Sequence, residues 1–263
     1  MNAWMNWWRI AAWLAIVFSF GGCAVLPSGT GPIAPEPLHE AIVGDDVEFL
    51  SAAVKAGRAN VNQRIPAPVY SEGTPLITIA ARAGSVRVTE FLIASRANIN
   101  AQTPADETAL MLAAYFRGLK ESDLTAPYSE RHERIVRMLV EAGANLENSP
   151  YSYTPLAYAA YQGHDRIIRY LLEKGASVNA DAGSDICYIN TPLMMAAMQG
   201  HQSSALMLLR AGANARVRVH QGLTAAELAA KYQGKSLVPL LRCAERLGPG
   251  QRFSQSCEGQ AAR

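Results

Sequence analysis

The sequence predicts an all-α solenoid of about six helix-turn-helix units with β-hairpin fingers, on three observations. A threonine-led signature recurs at spacings of 34, 46, 37 and 33 residues: Thr74-Pro-Leu, Thr108-Ala-Leu, Thr154-Pro-Leu, Thr191-Pro-Leu and Thr224-Ala-Ala. A second punctuation follows at a fixed distance, with Gly163 to Gly175 and Gly200 to Gly212 both 12 apart. Apolar residues make up 49% of the 263 and charged residues only 17%. An ordinary globular domain has roughly 25% charged residues, so a disordered, highly charged chain is excluded. The balance of 24 basic and 22 acidic residues, net +2, gives no bulk attraction to nucleic acid.

The elements follow in order. Arg9 is the single charge among the first 35 residues, and the apolar run 10–20 comes after it. Eleven helical residues reach about 16 Å, half of a hydrocarbon core, so residues 1–22 read as a signal peptide and not as a membrane span. The sequence Phe20-Gly21-Gly22-Cys23 resembles the bacterial lipoprotein box. That resemblance implies a diacylglycerol on the Cys23 thiol, removal of residues 1–22 and acylation of the new amino terminus. Ala24 then implies sorting to the outer membrane, facing the periplasm, with the chain held to the membrane through Cys23. An ordinary secretion signal with an incidental cysteine is the alternative. Residues 24–35 contain Gly, Ser, Thr and three prolines, which makes 23–35 a flexible tether.

From residue 36 the chain repeats, with units near 36–73, 74–107, 108–153, 154–190, 191–223 and 224–247, and a tail at 248–263. The first unit opens at Glu36-Pro-Leu-His39, and Asp45 to Gly57 keeps the spacing of 12, as does Gly84 to Arg96. The fourth unit is the fullest: Thr154-Pro-Leu-Ala-Tyr-Ala-Ala-Tyr-Gln-Gly-His164, then Ile167-Ile168, Leu171-Leu172 and Gly175-Ala-Ser-Val-Asn179. This pattern resembles the ankyrin repeat. Threonine caps the first helix and proline fits its first turn. Paired alanines let helices approach, and glycine ends the helix in a left-handed conformation. The leucines and isoleucines of the second helix face the next unit, so stability is a sum over neighbours. His164 and His201 are expected to make local hydrogen bonds, and no metal spacing accompanies them or His39 and His132.

The resemblance also implies a concave groove. Its variable positions map to Thr78, Leu112, Tyr158, Met195 and Leu228. The next turn adds Arg82, Tyr115, Phe116, Tyr161, Gln162, Met198, Gln199 and Tyr232. Tyrosine, phenylalanine and methionine in the central units point to a bound protein segment, with core packing as the alternative for Leu112 and Phe116. Fingers lengthened at 63–73 and 180–190 and the neighbouring connections carry Tyr70, Tyr151, Tyr153 and Tyr188, residues suited to contact. Thirteen extra residues, about 119–131, separate the two helices of unit three as a solvated loop or a partner contact.

Charge is uneven: residues 201–263 hold nine basic and three acidic residues, whereas 24–200 hold 14 basic and 19 acidic. Cys243 and Cys257 flank the breaker Gly248-Pro-Gly250 and are the disulfide candidate, which leaves Cys187 odd. No phosphate-cradling loop, serine elbow, paired metal motif or dinucleotide fingerprint is present, so neither a catalytic residue nor a cofactor, metal, nucleic acid or small-molecule substrate is expected. Bacterial ankyrin lipoproteins suggest two roles: an immunity protein that neutralises a periplasmic toxin or effector, or a helper or scaffold supporting a resident enzyme such as a catalase.

Overall fold

The computed structural model describes residues 31–67, 70–116, 126–147, 153–180, 191–218, 222–247 and 253–257, with 70–72, 126–129 and 255 described by their backbone. The signal peptide, Cys23, Tyr151, Cys187, Tyr188, residues 119–125 of the insertion and most of the tail lie outside the described residues.

Each unit contributes a first and a second helix. The first helices are α1 (Pro35–Val43), α3 (Leu76–Ala83), α5 (Ala109–Ala114), α7 (Pro155–Gln162), α9 (Pro192–Gln199) and α11 (Ala225–Lys231). The second helices are α2 (Val47–Lys55), α4 (Val86–Ala94), α6 (Ala126–Glu141), α8 (Asp165–Glu173), α10 (Gln202–Arg210) and α12 (Val238–Arg246). First helices pack on first helices along the stack, and second helices α2 to α10 pack likewise, giving two layers. The paired alanines have the role expected of small residues: Ala80, Ala113, Ala114, Ala159, Ala160, Ala196 and Ala197 are wholly buried. The second layer is knitted by one leucine per unit, Leu50, Leu92, Leu139, Leu171, Leu208 and Leu241, all at 0% exposure. Full burial of such a side chain stabilises by about 1.5–3 kcal/mol, on helices that pack within their unit and, for α2 to α10, on a neighbouring unit.

Threonine caps four first helices. The hydroxyls of Thr108, Thr154, Thr191 and Thr224 accept from the backbone N–H three residues on, at 3.2–3.4 Å. Unit two departs from this. There a hairpin of β1 (Arg64–Ala67) and β2 (Tyr70–Pro75) pairs Ile65 with Thr74, so Thr74 is drawn into a strand and α3 starts beyond it. Arg64 ties the hairpin to the next connection by donating to the Gln102 carbonyl at 2.7 Å.

Unit three departs further. Its first helix has six residues where α3, α7 and α9 have eight, and its second has 16 where the others have nine. Residues 126–131, expected within a loop, instead begin α6. Pro127 suits a first turn, and an i,i+4 pair of Glu133 with Arg137 (2.9 Å) supports the body of the helix.

Both ends are closed. Ile33 is buried and donates its N–H to the Arg58 carbonyl at 3.0 Å, while Arg58 Nε donates to the Gly31 carbonyl at 3.0 Å. Residues 31–33, read from the sequence as part of the 23–35 stretch, thus sit on the first unit. At the other end Cys243 and Cys257 form a disulfide, and α13 (Phe253–Ser256) packs on α10 with Phe253 buried.

Candidate interaction surface

The first-helix layer has an uncharged middle. Helices α5 (ALMLAA), α7 (PLAYAAYQ) and α9 (PLMMAAMQ) contain no charged side chain. The second layer carries the charges: Arg134 meets Glu90 at 3.6 Å and Arg166 meets Glu133 at 3.6 Å, which links α4, α6 and α8. Arg137 lies over the buried Tyr170 ring, 4.3 Å from its centroid.

Burial sorts the groove residues. Thr78, Leu112, Met195 and Leu228 are buried, at 0%, 4%, 5% and 5%. They are buried within the stack, so Met195 is core and not a surface contact. Tyr158 alone in that column is partly exposed. Partly exposed as well are Tyr115, Tyr153, Tyr161, Gln162, Met198 and Gln199, while Arg82 and Tyr232 are exposed. Tyr70 opens β2 opposite Ala67.

Four of these rings touch. Tyr158 stands edge-on to Tyr115 (4.9 Å, 66°) and to Tyr153 (5.7 Å, 70°), and Tyr115 stacks with Tyr161 at 6.2 Å. Such pairs add about 0.5–1.5 kcal/mol beyond area burial and fix the rings in place. A rigid aromatic patch with little rotamer freedom to lose is suited to contact.

Phe116 belongs elsewhere. Because α5 stops at Ala114, Phe116 leaves the helix and lies between two imidazoles, 4.4 Å from His132 and 3.8 Å from His164, nearly parallel to each. It is 6% exposed. The groove assignment for Phe116 is thereby corrected to core. The histidines form a column through the stack. Nε2 of His132, His164 and His201 meets the carbonyls of Arg82 (3.2 Å), Phe116 (2.7 Å) and Tyr161 (3.1 Å) at the end of the preceding unit's first helix. A carbonyl only accepts, so Nε2 carries the proton in each. Ser85 Oγ makes the same link to Val43 at 3.4 Å, and the Gln233 N–H makes it to Met198 at 3.1 Å. The helix-ending glycines face these rings. A Cβ on Gly163 would fall 2.7 Å from His201 Nδ1, and one on Gly84 2.7 Å from His132 Cε1. Burial, and after it His132 and His201, hold the His164 pKa at about 4, so the ring is neutral.

A second ladder runs through the connections. Asn62, Asn100, Glu147 and Asn179 accept from the backbone N–H of Asn98 (2.7 Å), Asn145 (2.9 Å), Ser177 (2.6 Å) and Asn214 (2.7 Å) in the following unit. In the last connection Arg216 takes the equivalent place and donates, from Nε to the Glu245 carbonyl at 2.7 Å and from Nη2 to Leu247. Here the side chain donates instead of accepting, to carbonyls at the end of α12. The asparagine pairs at 60/62 and 98/100 were the available signal.

Among the described residues no group of three His, Cys, Asp or Glu is placed to hold a metal ion. The partly exposed residues of the first-helix layer offer apolar contact and tyrosine rings.

Residues 124–182 match the family model of ankyrin repeats in three copies, 156–209 that of many copies, and 73–104 that of the single repeat. The stretch 105–123, with α5 and the truncated helix end, falls between the matches. No curated protein matches the sequence. Repeats of this kind indicate protein–protein interaction.

Proposed function

We propose that this chain, an all-α solenoid carrying ankyrin repeats, holds a partner protein stoichiometrically against the uncharged stretch of its first-helix layer. The observation that carries the reading is the run of three first helices without a charge, bearing Tyr115, Tyr158, Tyr161 and Met198 partly exposed. Charge depletion with tyrosine and methionine enrichment is the compositional mark of an interface core. Alanine at Tyr158, Tyr161 and Met198 together is expected to weaken partner binding more than thirtyfold, since anchoring aromatics each contribute roughly 1–2 kcal/mol. Affinity capture from an envelope extract, with the melting curve of the variant recorded alongside, measures it. Unchanged capture by a variant with an unchanged melting curve refutes the surface.

The finer reading places the protein in the bacterial cell envelope, tethered to the outer membrane through lipid on Cys23, where it neutralises a periplasmic toxin or effector. The apolar run 10–20 before Phe20-Gly21-Gly22-Cys23 supports the anchor. Cys23→Ala is expected to move the protein out of the membrane fraction. All four tryptophans precede Cys23, so membrane-extracted material should lack indole fluorescence if the leader is removed. Cells that express the protein should survive the captured partner. A captured resident enzyme whose activity rises instead supports a helper role.

A further inference from the structure

Charge along the first-helix layer has a definite order. Helix α1 carries Glu36 and Glu40, α3 carries Arg82, α5, α7 and α9 carry none, and α11 carries Glu227 and Lys231. Glu227 is occupied locally: it accepts the Thr224 N–H at 2.8 Å and pairs with Arg218 at 3.4 Å. Lys231 is exposed beside the exposed Tyr232, its ammonium 5.6 Å from that ring. Arg82, also exposed, bounds the other side of the uncharged stretch. The middle is therefore bracketed by a cation in unit two and a cation in unit six.

The span decides the form of the occupant. Neighbouring packed helices lie about 10 Å apart, so four steps separate the two cations by about 40 Å. An extended chain covers that distance with about 12 residues, at 3.3 Å each. A helix would need about 27, more than twice the length of an average helix.

We propose that units two to six hold an extended protein segment of about 12 residues, apolar and uncharged at its centre, with a carboxylate near each end to meet Arg82 and Lys231. The proposal rests on the first-helix layer being the binding face. Central aromatic or aliphatic side chains would lie against Tyr115, Tyr158, Tyr161 and Met198, where α5, α7 and α9 supply no opposite charge to a buried one.

A random dodecamer library displayed on phage, selected against the full-length protein, tests it. The expected enriched sequences have uncharged apolar centres and Asp or Glu within the outer three positions at each end. Binding of these peptides should fall about fivefold in the double variant Arg82→Gln/Lys231→Gln, the size of two solvent-exposed ion pairs. It should fall more than tenfold in Tyr158→Ala/Tyr161→Ala. Both glutamine substitutions are at exposed positions and leave the core intact, so they report on charge alone. Peptides that need Tyr158 and Tyr161 but lack terminal carboxylates, or that bind the glutamine variant equally, overturn the charge assignment and leave the face standing. Peptides indifferent to Tyr158 and Tyr161, or no enrichment, overturn both.

Discussion

His164 is an imidazole that stays neutral where a free one would not. Its folded pKa is about 4, lowered first by burial and then by His132 and His201, against an ordinary value of 6.5. Above pH 6.5 the ring is neutral folded or unfolded. Between 6.5 and 4 the unfolded chain takes up a proton that the folded ring refuses, so stability falls as pH drops through that window. The loss reaches up to about 3 kcal/mol once the pH is below 4. The urea midpoint should thus decline on acidification, and less steeply in His164→Gln, whose amide can still donate to the Phe116 carbonyl. Equal slopes would show that this ring does not report pH. Gly163 tests the same column sterically. At φ +75°, with a Cβ destined for His201, Gly163→Ala combines the left-handed cost of about 1–2 kcal/mol with a displaced ring and its hydrogen bond, about 1 kcal/mol more. Gly175, at φ +91° with nothing within 4 Å, should lose only the first part on substitution by alanine. Identical midpoints for the two variants would mean that the ring yields freely.

At the level of elements, the helix starts and ends were legible because their signals are local. Threonine three residues before its N–H partner, and glycine at a left-handed turn, need no distant help, and Thr154 to Gly163 reads directly as α7. What was not legible depended on neighbours. Thr74 looks like Thr154, yet pairing with Ile65 across the hairpin takes it into β2. Phe116 occupies the place that Gln162 has in unit four, but the shortened α5 sends it toward His132, a residue brought near only across the insertion. Met195 shares a column with Tyr158 yet is buried where Tyr158 is partly exposed, a difference that the repeat position alone does not carry. The closing element of the stack is more predictable. The loop closed by Cys243 and Cys257 spans 14 residues, and a loop near that length stabilises by about 3 kcal/mol. Reduction should cost that amount and release α13 with Phe253, seen as faster amide exchange in α10 and α12 while α1 to α4 keep their protection. Uniform loss of protection would show that the cap holds more than its own end.

Across the described stack, the main helix packing in each layer joins one unit to the next, so cooperativity depends on every interface being strong. The leucine column, the histidine column and the connection ladder all cross the interfaces of unit four, and Leu171 sits wholly buried there. Leu171→Ala leaves a cavity at a wholly buried position of α8, the helix that packs on both α6 and α10, a change of about 2–5 kcal/mol. In a compact domain that loss would shift a single transition. In a linear stack it weakens two adjacent interfaces, so the units on either side unfold with less reference to each other. The expected result is a lower urea midpoint together with a smaller m-value, since less surface is then exposed in each step. Exchange protection should fall most in units three to five and least at the ends. The same variant bears on function, because Tyr115, Tyr158, Tyr161 and Met198 span the interfaces that Leu171 supports from behind. If the aromatic row binds as one rigid face, binding should weaken although none of its rings has been altered, and a midpoint shift with unchanged m-value and unchanged binding would show that the layers act independently.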